Sequence, residues 1–150
     1  MADPVFRAAT EDDIAAIVEM LADDPLGATR ETPDDLKLYR DAFAAVDTNP
    51  NQLLIVIEVD GAVTGTAQMT FIAGLSHRGM RRADIEAVRI HAVQRGAGLG
   101  TLLIEWCIGQ ARERGCGIVQ LTSHASRTDA HRFYERLGFT ASHTGFKLRL

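Results

Sequence analysis

The segment Gln94-Arg95-Gly96-Ala97-Gly98-Leu99-Gly100 places three alternating glycines between a predicted strand, at about residues 84–93, and an amphipathic helix. Glycine lets the backbone approach a ligand closely, and the first N–H groups of a helix have no partner inside the helix. Together with the helix dipole, such amides form a binding site for a phosphate or diphosphate. The segment therefore predicts an anion site, where the Arg95 side chain can add a charge-assisted contact.

Other interpretations of this glycine segment differ in how well they match the sequence. A P-loop ends in Gly-Lys-Ser/Thr, but Thr101 follows Gly100 directly, so that interpretation fails. A dinucleotide-binding fingerprint needs its third glycine three residues after the second, and position 101 is threonine. A glycine-rich turn that holds no ligand remains open, because glycine also serves turns and tight packing.

Strands and helices interleave on both sides of this segment. Asp60-Gly61 predicts a tight hairpin, and Gly115 predicts a helix end, so the sheet contains antiparallel pairs and helices cover it. Strands are predicted at residues 5–8, 53–57, 62–72, 84–93 and 118–122, helices at 14–21, 33–49, 99–115 and 129–136, loops at 23–32 and 76–82, and a final extended pair at 138–150.

The composition is that of one globular domain spanning residues 1–150, with 46% hydrophobic and 24% charged residues. The net charge of -4 argues against a general nucleic-acid binder. The sequence shows no membrane-length apolar run and no signal peptide, so a cytoplasmic protein without membrane association is expected. Two cysteines cannot form a metal cluster, and Cys107, on an apolar helical face, is expected to be a buried thiol.

Two separated motifs resemble those of the GNAT superfamily, the N-acetyltransferases that use acetyl-CoA. The Arg/Gln-x-x-Gly-x-Gly/Ala signature is matched by Arg95, Gly98 and Gly100. The later Tyr-Glu-x-x-Gly-Phe signature is matched from Tyr134 to Phe139. The resemblance covers about residues 53–139, and the first fifty residues match only as strand–helix–helix. It implies a mixed α/β fold whose mostly antiparallel central sheet is flanked by helices and splayed at the acetyl-CoA site.

The resemblance also implies how acetyl-CoA is held, without a metal or a covalent enzyme intermediate. The backbone of residues 88–90 would pair with the pantetheine amides, as an extended peptide joins a strand edge. The N–H groups of residues 95–100 would hold the diphosphate. Arg127 stands where many relatives have an asparagine that contacts CoA, and it could reach a phosphate or a pantetheine carbonyl. The implied binding residues are Val88, Arg89, Ile90, Arg95, Gly96, Ala97, Gly98, Leu99, Gly100 and Arg127.

Tyr134 falls where the family has the tyrosine that acts as general acid at the CoA sulfur. A phenol, with a pKa near 10, can protonate or hydrogen-bond a thiolate whose pKa is near 8.5. The alternative is an aromatic residue that only packs beside Phe133. His91 and His124 lie near the predicted cleft in sequence, and structural hydrogen bonding is the expected role of both.

Glu86 is the candidate base that takes the proton of the attacking ammonium, since many relatives have an acid at this position of the strand. Its neighbours Ile85 and Ala87 are apolar, so burial is expected to raise its pKa toward a useful value. The alternative is a glutamate that faces solvent or pairs with Arg89. Some relatives have another glutamate on the later strand, where this chain has Thr122.

The sequence thus predicts an N-acetyltransferase that transfers an acetyl group from acetyl-CoA to a primary amine by direct attack in a ternary complex. Two alternatives remain: a CoA-binding sensor or interaction module without turnover, and a transferase with a different acyl-CoA donor. Arginines 78, 81 and 82 could bind an acidic substrate or the CoA 3′-phosphate, although a solvated loop is favoured. The acceptor, a small-molecule or peptide amine, is not specified, and the resemblance favours a homodimer.

Overall fold

A computed structural model describes residues 2–150 and contains one five-stranded sheet. Contacts divide the chain into two compact units, residues up to Gln120 and residues 121–150, each described by itself. The elements in chain order are β1 (Val5–Ala8), α1 (Ile14–Ala22), α2 (Gly27–Arg30), α3 (Leu36–Asp47), β2 (Gln52–Val59), β3 (Ala62–Ile72), α4 (Ser76–Gly79), β4 (Arg82–Ile90), α5 (Leu99–Glu113), β5 (Ile118–Leu121) and α6 (Thr128–Arg136).

The strand order in the sheet is β1-β2-β3-β4-β5, and the pairs β1–β2, β2–β3 and β3–β4 are all antiparallel. This order confirms the predicted mixed fold with a mostly antiparallel sheet. The hairpin between β2 and β3 turns at Asp60 and Gly61, both with positive φ, as that dipeptide predicts.

Helices cover both faces of the sheet. Val56 of β2 packs with Ile17 of α1, and Phe43 of α3 joins the same cluster. Phe6 of β1 pairs with Ile57, the β2 residue after Val56, so its side chain lies on the face opposite to that of Val56. There it stacks on Trp106 of α5 with ring centroids 5.7 Å apart. We call these the α1 face and the α5 face. Side chains that are fully buried within the fold include Ile55, Ile57, Met69, Ile85, Leu103 and Ile104.

The predicted bounds of several elements differ from the structure, and the predicted loop at 76–82 contains α4 and the first residue of β4. β4 ends at Ile90 rather than at residue 93, because a 3₁₀ turn follows whose Val93 N–H donates to His91 Nδ1 at 3.3 Å. The predicted loop at residues 23–32 contains the single-turn helix α2. The predicted extended pair at residues 138–150 is wrong: within the described chain, residues 139–150 form no strand, and residues 140–150 are all exposed. Alternation alone does not make a strand when no ladder partner is present.

A partly buried ion pair fixes the start of α1 to the sheet. Both Nη atoms of Arg7 donate to the Asp13 carboxylate, at 2.7 and 3.0 Å, and Arg7 Nε donates to Glu58 at 2.8 Å. The Asp13 side chain is only 7% exposed and also accepts the Thr10 N–H at 2.7 Å. The hydrogen bonds from Arg7 lower the pKa of the Asp13 carboxyl, and the hydrogen bond from the Thr10 N–H lowers it further. Burial of the carboxyl acts in the opposite direction but does not outweigh them.

We expect Asp13→Asn to lower the free energy of unfolding by about 2 kcal/mol, the range for hydrogen bonds to a charged group. Because the pKa of Asp13 is lowered in the folded state, its contribution is complete above the unfolded pKa near 3.9 and lost as pH falls through the folded value. Urea unfolding at pH 7 and pH 3 should therefore show the larger difference from wild type at pH 7. Asp12→Asn, at an exposed neighbour, is the control. Equal effects of the two variants would contradict this account.

Candidate active site

The glycine turn ends directly in a long helix. Gly96 and Gly98 have φ of +85° and +82°, which L side chains rarely adopt, and a Cβ at either position meets no atom within 4 Å. The first hydrogen bond of α5 runs from the Leu102 N–H to the Gly98 carbonyl at 3.3 Å. The amides of residues 99–101 precede that bond, so they have no acceptor inside the helix. The turn therefore offers donors beside open space.

Not all amides of this turn are available to a ligand. The Arg95 N–H donates to Ala92 at 3.3 Å, and the Ala97 N–H donates to Gln94 at 3.4 Å. The Arg95 guanidinium donates to the Ile90 carbonyl at 3.1 Å and lies 3.3 Å from a carboxylate oxygen of Asp23. The backbone from Gly98 to Gly100 is thus the part of the turn best suited to an anion.

β4 contains a bulge just before this turn. Arg89 pairs with Thr66 and Glu86 pairs with Gln68, so three steps along β4 match two along β3. Ala87, within the bulge, has φ of +52°, which is strained for a residue with a Cβ. A bulge interrupts ladder hydrogen bonding and is frequent next to active sites. The interruption lies at the start of residues 88–90, whose backbone is expected from the family resemblance to pair with the pantetheine amides.

A polar row crosses the α1 face of the sheet beside the bulge. Gln68 and Thr70 of β3 both donate to the side-chain oxygen of Gln52, at 3.0 and 3.1 Å. Across the next ladder, Glu86 pairs with Gln68 and Asp84 pairs with Thr70. Partners in register share a face, so both carboxyl groups of β4 lie on the same polar row.

The structure separates the two carboxyl groups by burial. Glu86 is exposed, so the expected burial of Glu86 is wrong. Its apolar neighbour Ile85 points into the core on the opposite face of the strand and therefore does not indicate burial of Glu86. Asp84 is half-buried, and burial raises the pKa of its carboxyl, opposed by hydrogen bonding with Gln120 and by the Arg82 charge. Asp84 is not among the site residues predicted from the sequence, although its position two residues before Glu86 on one strand was a usable signal.

An ion pair joins β4 to the loop that follows α1. Arg89 Nε lies 3.0 Å from a carboxylate oxygen of Asp24, with side chains 17% and 12% exposed. Asp24 also accepts the N–H groups of Leu26 and Gly27, each at 2.8 Å. The Arg89 side chain therefore fixes the loop at residues 23–32 beside the bulge.

Two of the three loop arginines have structural contacts. Arg81 donates to the Asn51 side chain at 2.8 Å and lies over the Phe71 ring, whose centroid is also 4.5 Å from the Arg114 guanidinium. Arg82 donates to Gln120 at 3.4 Å. These contacts favour a structural role for Arg81 and Arg82 over binding of an acidic substrate or of the CoA 3′-phosphate.

The second unit contains Tyr134 and Arg127. Tyr134, on α6, is half-buried and packs edge-on against Phe133 at 5.1 Å and against Phe139 at 5.8 Å. Arg127 is half-buried and immediately precedes α6. His124 Nδ1 accepts the Ser126 N–H at 3.1 Å and so forms part of the turn before that helix.

Cys107 is buried, as the sequence predicts, and burial raises its pKa to about 12. A thiol with this pKa is almost entirely protonated at neutral pH, so it is a poor acyl carrier. Among residues 2–150, no group of three or more His, Cys, Asp or Glu could hold a metal ion. In the same described residues, no helix is long and apolar enough to span a membrane.

Comparisons with known proteins agree with this geometry. Residues 14–139 match the model of the Acetyltransferase (GNAT) family. Aminoalkylphosphonate N-acetyltransferase of Salmonella typhimurium is 31% identical over 112 residues, which are 75% of this chain and 72% of that protein. Streptothricin acetyltransferase of Streptomyces lavendulae is 28% identical over 135 residues, 90% of this chain and 68% of that protein.

A solved structure also has this fold. The crystal structure of a Bacillus halodurans C-125 protein, described as a transcriptional regulator, has a TM-score of 0.95 and 43% identity over 99% of this chain and 100% of its own. The family match spans the bulged strand, the glycine turn and α6. The chain therefore belongs to the acetyltransferase (GNAT) family and is an acetyl-CoA-dependent N-acetyltransferase.

Proposed function

We propose that this enzyme transfers the acetyl group of acetyl-CoA to the primary amine of a small molecule by direct attack in a ternary complex. The observation that carries the proposal is the pair of left-handed glycines, Gly96 and Gly98, directly before the N-terminus of α5. The β4 bulge precedes this turn along the chain and offers backbone groups for the pantetheine arm. The turn itself offers amide donors and open space for the diphosphate.

The residues fit acetyl-CoA, which supplies the activated acetyl group. The amides of Gly98, Leu99 and Gly100 would hold the diphosphate, with Gly96 keeping the space beside them open and Ala97 spacing the two glycines. The backbone of Val88, Arg89 and Ile90, beside the bulge, would pair with the pantetheine amides. Arg95 and Arg127 are proposed to add charge to this site, Arg95 by exchanging its contact with Asp23 for a phosphate.

The chain's own side chains would carry the protons. An alkylammonium, with a pKa near 10.4, is mostly protonated at neutral pH and cannot attack until it loses a proton. Glu86 is proposed as the base because it lies, exposed, on the polar row beside the bulge. Tyr134 is proposed to donate its phenolic proton, or a hydrogen bond, to the leaving sulfur.

The acceptor is proposed to be a small molecule that arrives as a cation. The polar row on the α1 face carries the carboxyl groups of Asp84 and Glu86, which attract an ammonium ion. One relative is named for aminoalkylphosphonates, small molecules that carry an amine. This resemblance supports testing small amines first as acceptors.

The experiment is a panel of small amines, aminoalkylphosphonates and diamines among them, incubated with the enzyme and acetyl-CoA while free thiol is measured. We expect thiol release with at least one amine, in an amount equal to the acetylated product. Replacing acetyl-CoA by succinyl-CoA or a longer acyl-CoA tests the alternative donors. Release that is faster with another donor would contradict the assignment of acetyl-CoA.

A second candidate function is a CoA-binding regulator without turnover. It is favoured by the description of the 43% identical Bacillus halodurans protein as a transcriptional regulator. Both candidates predict that acetyl-CoA stabilises the fold against heat. Stabilisation without thiol release from any amine in the panel would favour the regulator.

We expect Glu86→Gln to lower kcat/KM about 10²–10⁴-fold, the usual contribution of a general base. A base acts when deprotonated, so wild-type kcat/KM should rise with pH through the pKa of that base and then level off. The glutamine variant should lose this acidic limb.

Two further variants make the pH–rate experiment specific. Asp84→Asn tests the other carboxyl of the polar row, whose raised pKa places its titration above that of an ordinary aspartate. Glu105→Gln, at an exposed position on α5, is the control and should match wild type. An acidic limb that persists in Glu86→Gln and disappears in Asp84→Asn would move the role of base to Asp84.

A further inference from the structure

The bulge in β4 brings the Arg89 side chain next to Glu86. Glu86 pairs with Gln68 and Arg89 pairs with Thr66, and these two partners lie two residues apart on β3. Residues two apart on a strand share a face and are separated by about 7 Å. Glu86 and Arg89 are therefore direct neighbours on the α1 face, although they are three residues apart in the sequence.

A positive charge at this position opposes the function proposed for the polar row. The guanidinium of an arginine stays charged at every pH at which a protein is folded. Next to the polar row it would repel an incoming ammonium ion and attract the Glu86 carboxylate. The Arg89 side chain is only 17% exposed, so solvent and salt screen its charge weakly. The row therefore depends on a group that neutralises Arg89.

Asp24 is placed to neutralise this charge. One oxygen of its carboxylate lies 3.0 Å from Arg89 Nε, and its side chain is 12% exposed. The other oxygen accepts the N–H groups of Leu26 and Gly27, each at 2.8 Å, which fixes the direction of the carboxylate. An Nη atom of Arg89 donates to the Val88 carbonyl at 2.8 Å. The guanidinium is thus held at the loop of residues 23–32.

We propose that Asp24 is a positioning residue for acetyl transfer: it neutralises Arg89 and holds the guanidinium away from the carboxyl groups that receive the acceptor amine. Asp24 acts only through Arg89 and does not touch the substrate. The inference rests on the proposed cationic acceptor, and it holds whether Glu86 or Asp84 is the base, because both lie on the same row.

The first test needs no acceptor and measures the pKa of the Glu86 carboxyl by NMR titration. Asp24→Asn removes the charge but keeps an oxygen for the two loop N–H groups, and we expect it to lower this pKa. Adding Arg89→Gln to Asp24→Asn should raise the pKa again. The other charged groups of β4 on this face, Arg82 and Asp84, are kept in every variant. The same pKa in all three proteins would overturn the proposal.

The second test measures kcat/KM with the amine of the panel that is acetylated fastest. We expect Asp24→Asn to lower it about 50-fold, the effect of one unit charge about 7 Å away at an effective dielectric constant of about 20. Adding Arg89→Gln should recover at least about tenfold of this loss, since the backbone of residue 89 is kept while the charge is removed. A loss that the second substitution does not reverse would show a merely structural role and would overturn the proposal.

The control is Asp13→Asn, which removes a comparable ion pair at the other end of α1. It should lower stability while leaving both kcat/KM and the pKa of Glu86 as in wild type. Equal effects of Asp13→Asn and Asp24→Asn would mean that lost stability explains both, against the proposal. If wild type acetylates no amine of the panel, the proposed function fails, and the NMR titration alone decides whether Asp24 shields Glu86 from Arg89.

Discussion

Replacement of Tyr134 by phenylalanine is expected to lower kcat about 10²–10⁴-fold, the usual contribution of a general acid. The leaving thiolate, with a pKa near 8.5, would lose the phenolic proton donor, whose pKa is near 10. Phenylalanine keeps the ring, so the edge-on packing against Phe133 and Phe139 should persist. The variant should therefore still fold, which a cooperative thermal transition checks, and its Kd for acetyl-CoA should stay close to wild type.

The chain offers a matched control for this variant in its other tyrosine. The Tyr39 hydroxyl donates to Glu31 at 3.0 Å and accepts the Thr32 N–H at 2.8 Å, so it has a structural role. Tyr39→Phe should leave kcat unchanged, with a small loss of stability. A normal turnover rate in Tyr134→Phe would mean that Tyr134 only packs, and the acid would have to be sought elsewhere.

Gly98→Val is expected to weaken acetyl-CoA binding about 100-fold, equivalent to about 2.7 kcal/mol. A valine at φ of +82° is strained, so the backbone at this position would shift. The shift would turn the N–H groups of Leu99 and Gly100 away from the diphosphate. A Cβ at position 98 would also enter the open space next to those amides. One or two lost hydrogen bonds to a charged phosphate account for this magnitude.

Gly115, just beyond the other end of α5, provides the control for backbone strain. It has φ of +73°, and a Cβ there also meets no atom within 4 Å. Gly115→Val should lower stability about as much as Gly98→Val while leaving the Kd for acetyl-CoA unchanged. Equal affinities in the two variants would contradict a diphosphate site at the glycine turn.

The helices and most strands of this fold could be predicted because their signals are local. Apolar residues at helical spacing delimit α1 and α5, and the Asp60-Gly61 pair marks the hairpin. The glycine turn was also predictable, since only glycine adopts the required φ without strain at both positions.

The bulge in β4 and the role of Asp84 could not be predicted in this way. Residues 84–93 look like one uninterrupted strand, and the bulge exists only in the pairing of β4 with β3. Asp84 and Glu86 share one face, so the burial of the first and the exposure of the second likewise depend on what packs over each position of the sheet. Pairing and coverage are properties of the tertiary structure, which neighbouring residues in the sequence do not determine.

The 138–150 region shows the opposite error. Alternation of Phe146, Leu148 and Leu150 with basic residues indicates a strand, yet a strand forms only where another strand accepts its hydrogen bonds. Within the described chain no such ladder forms there.

The most direct test of the acetyl-CoA site is a calorimetric titration of the wild-type chain with acetyl-CoA and, separately, with acetyl-pantetheine, which lacks the diphosphate and the nucleotide. If the amides from Gly98 to Gly100 hold the diphosphate, acetyl-CoA should bind, and acetyl-pantetheine should bind at least about 100-fold more weakly. No heat with acetyl-CoA, or equal affinities for the two compounds, would contradict this account.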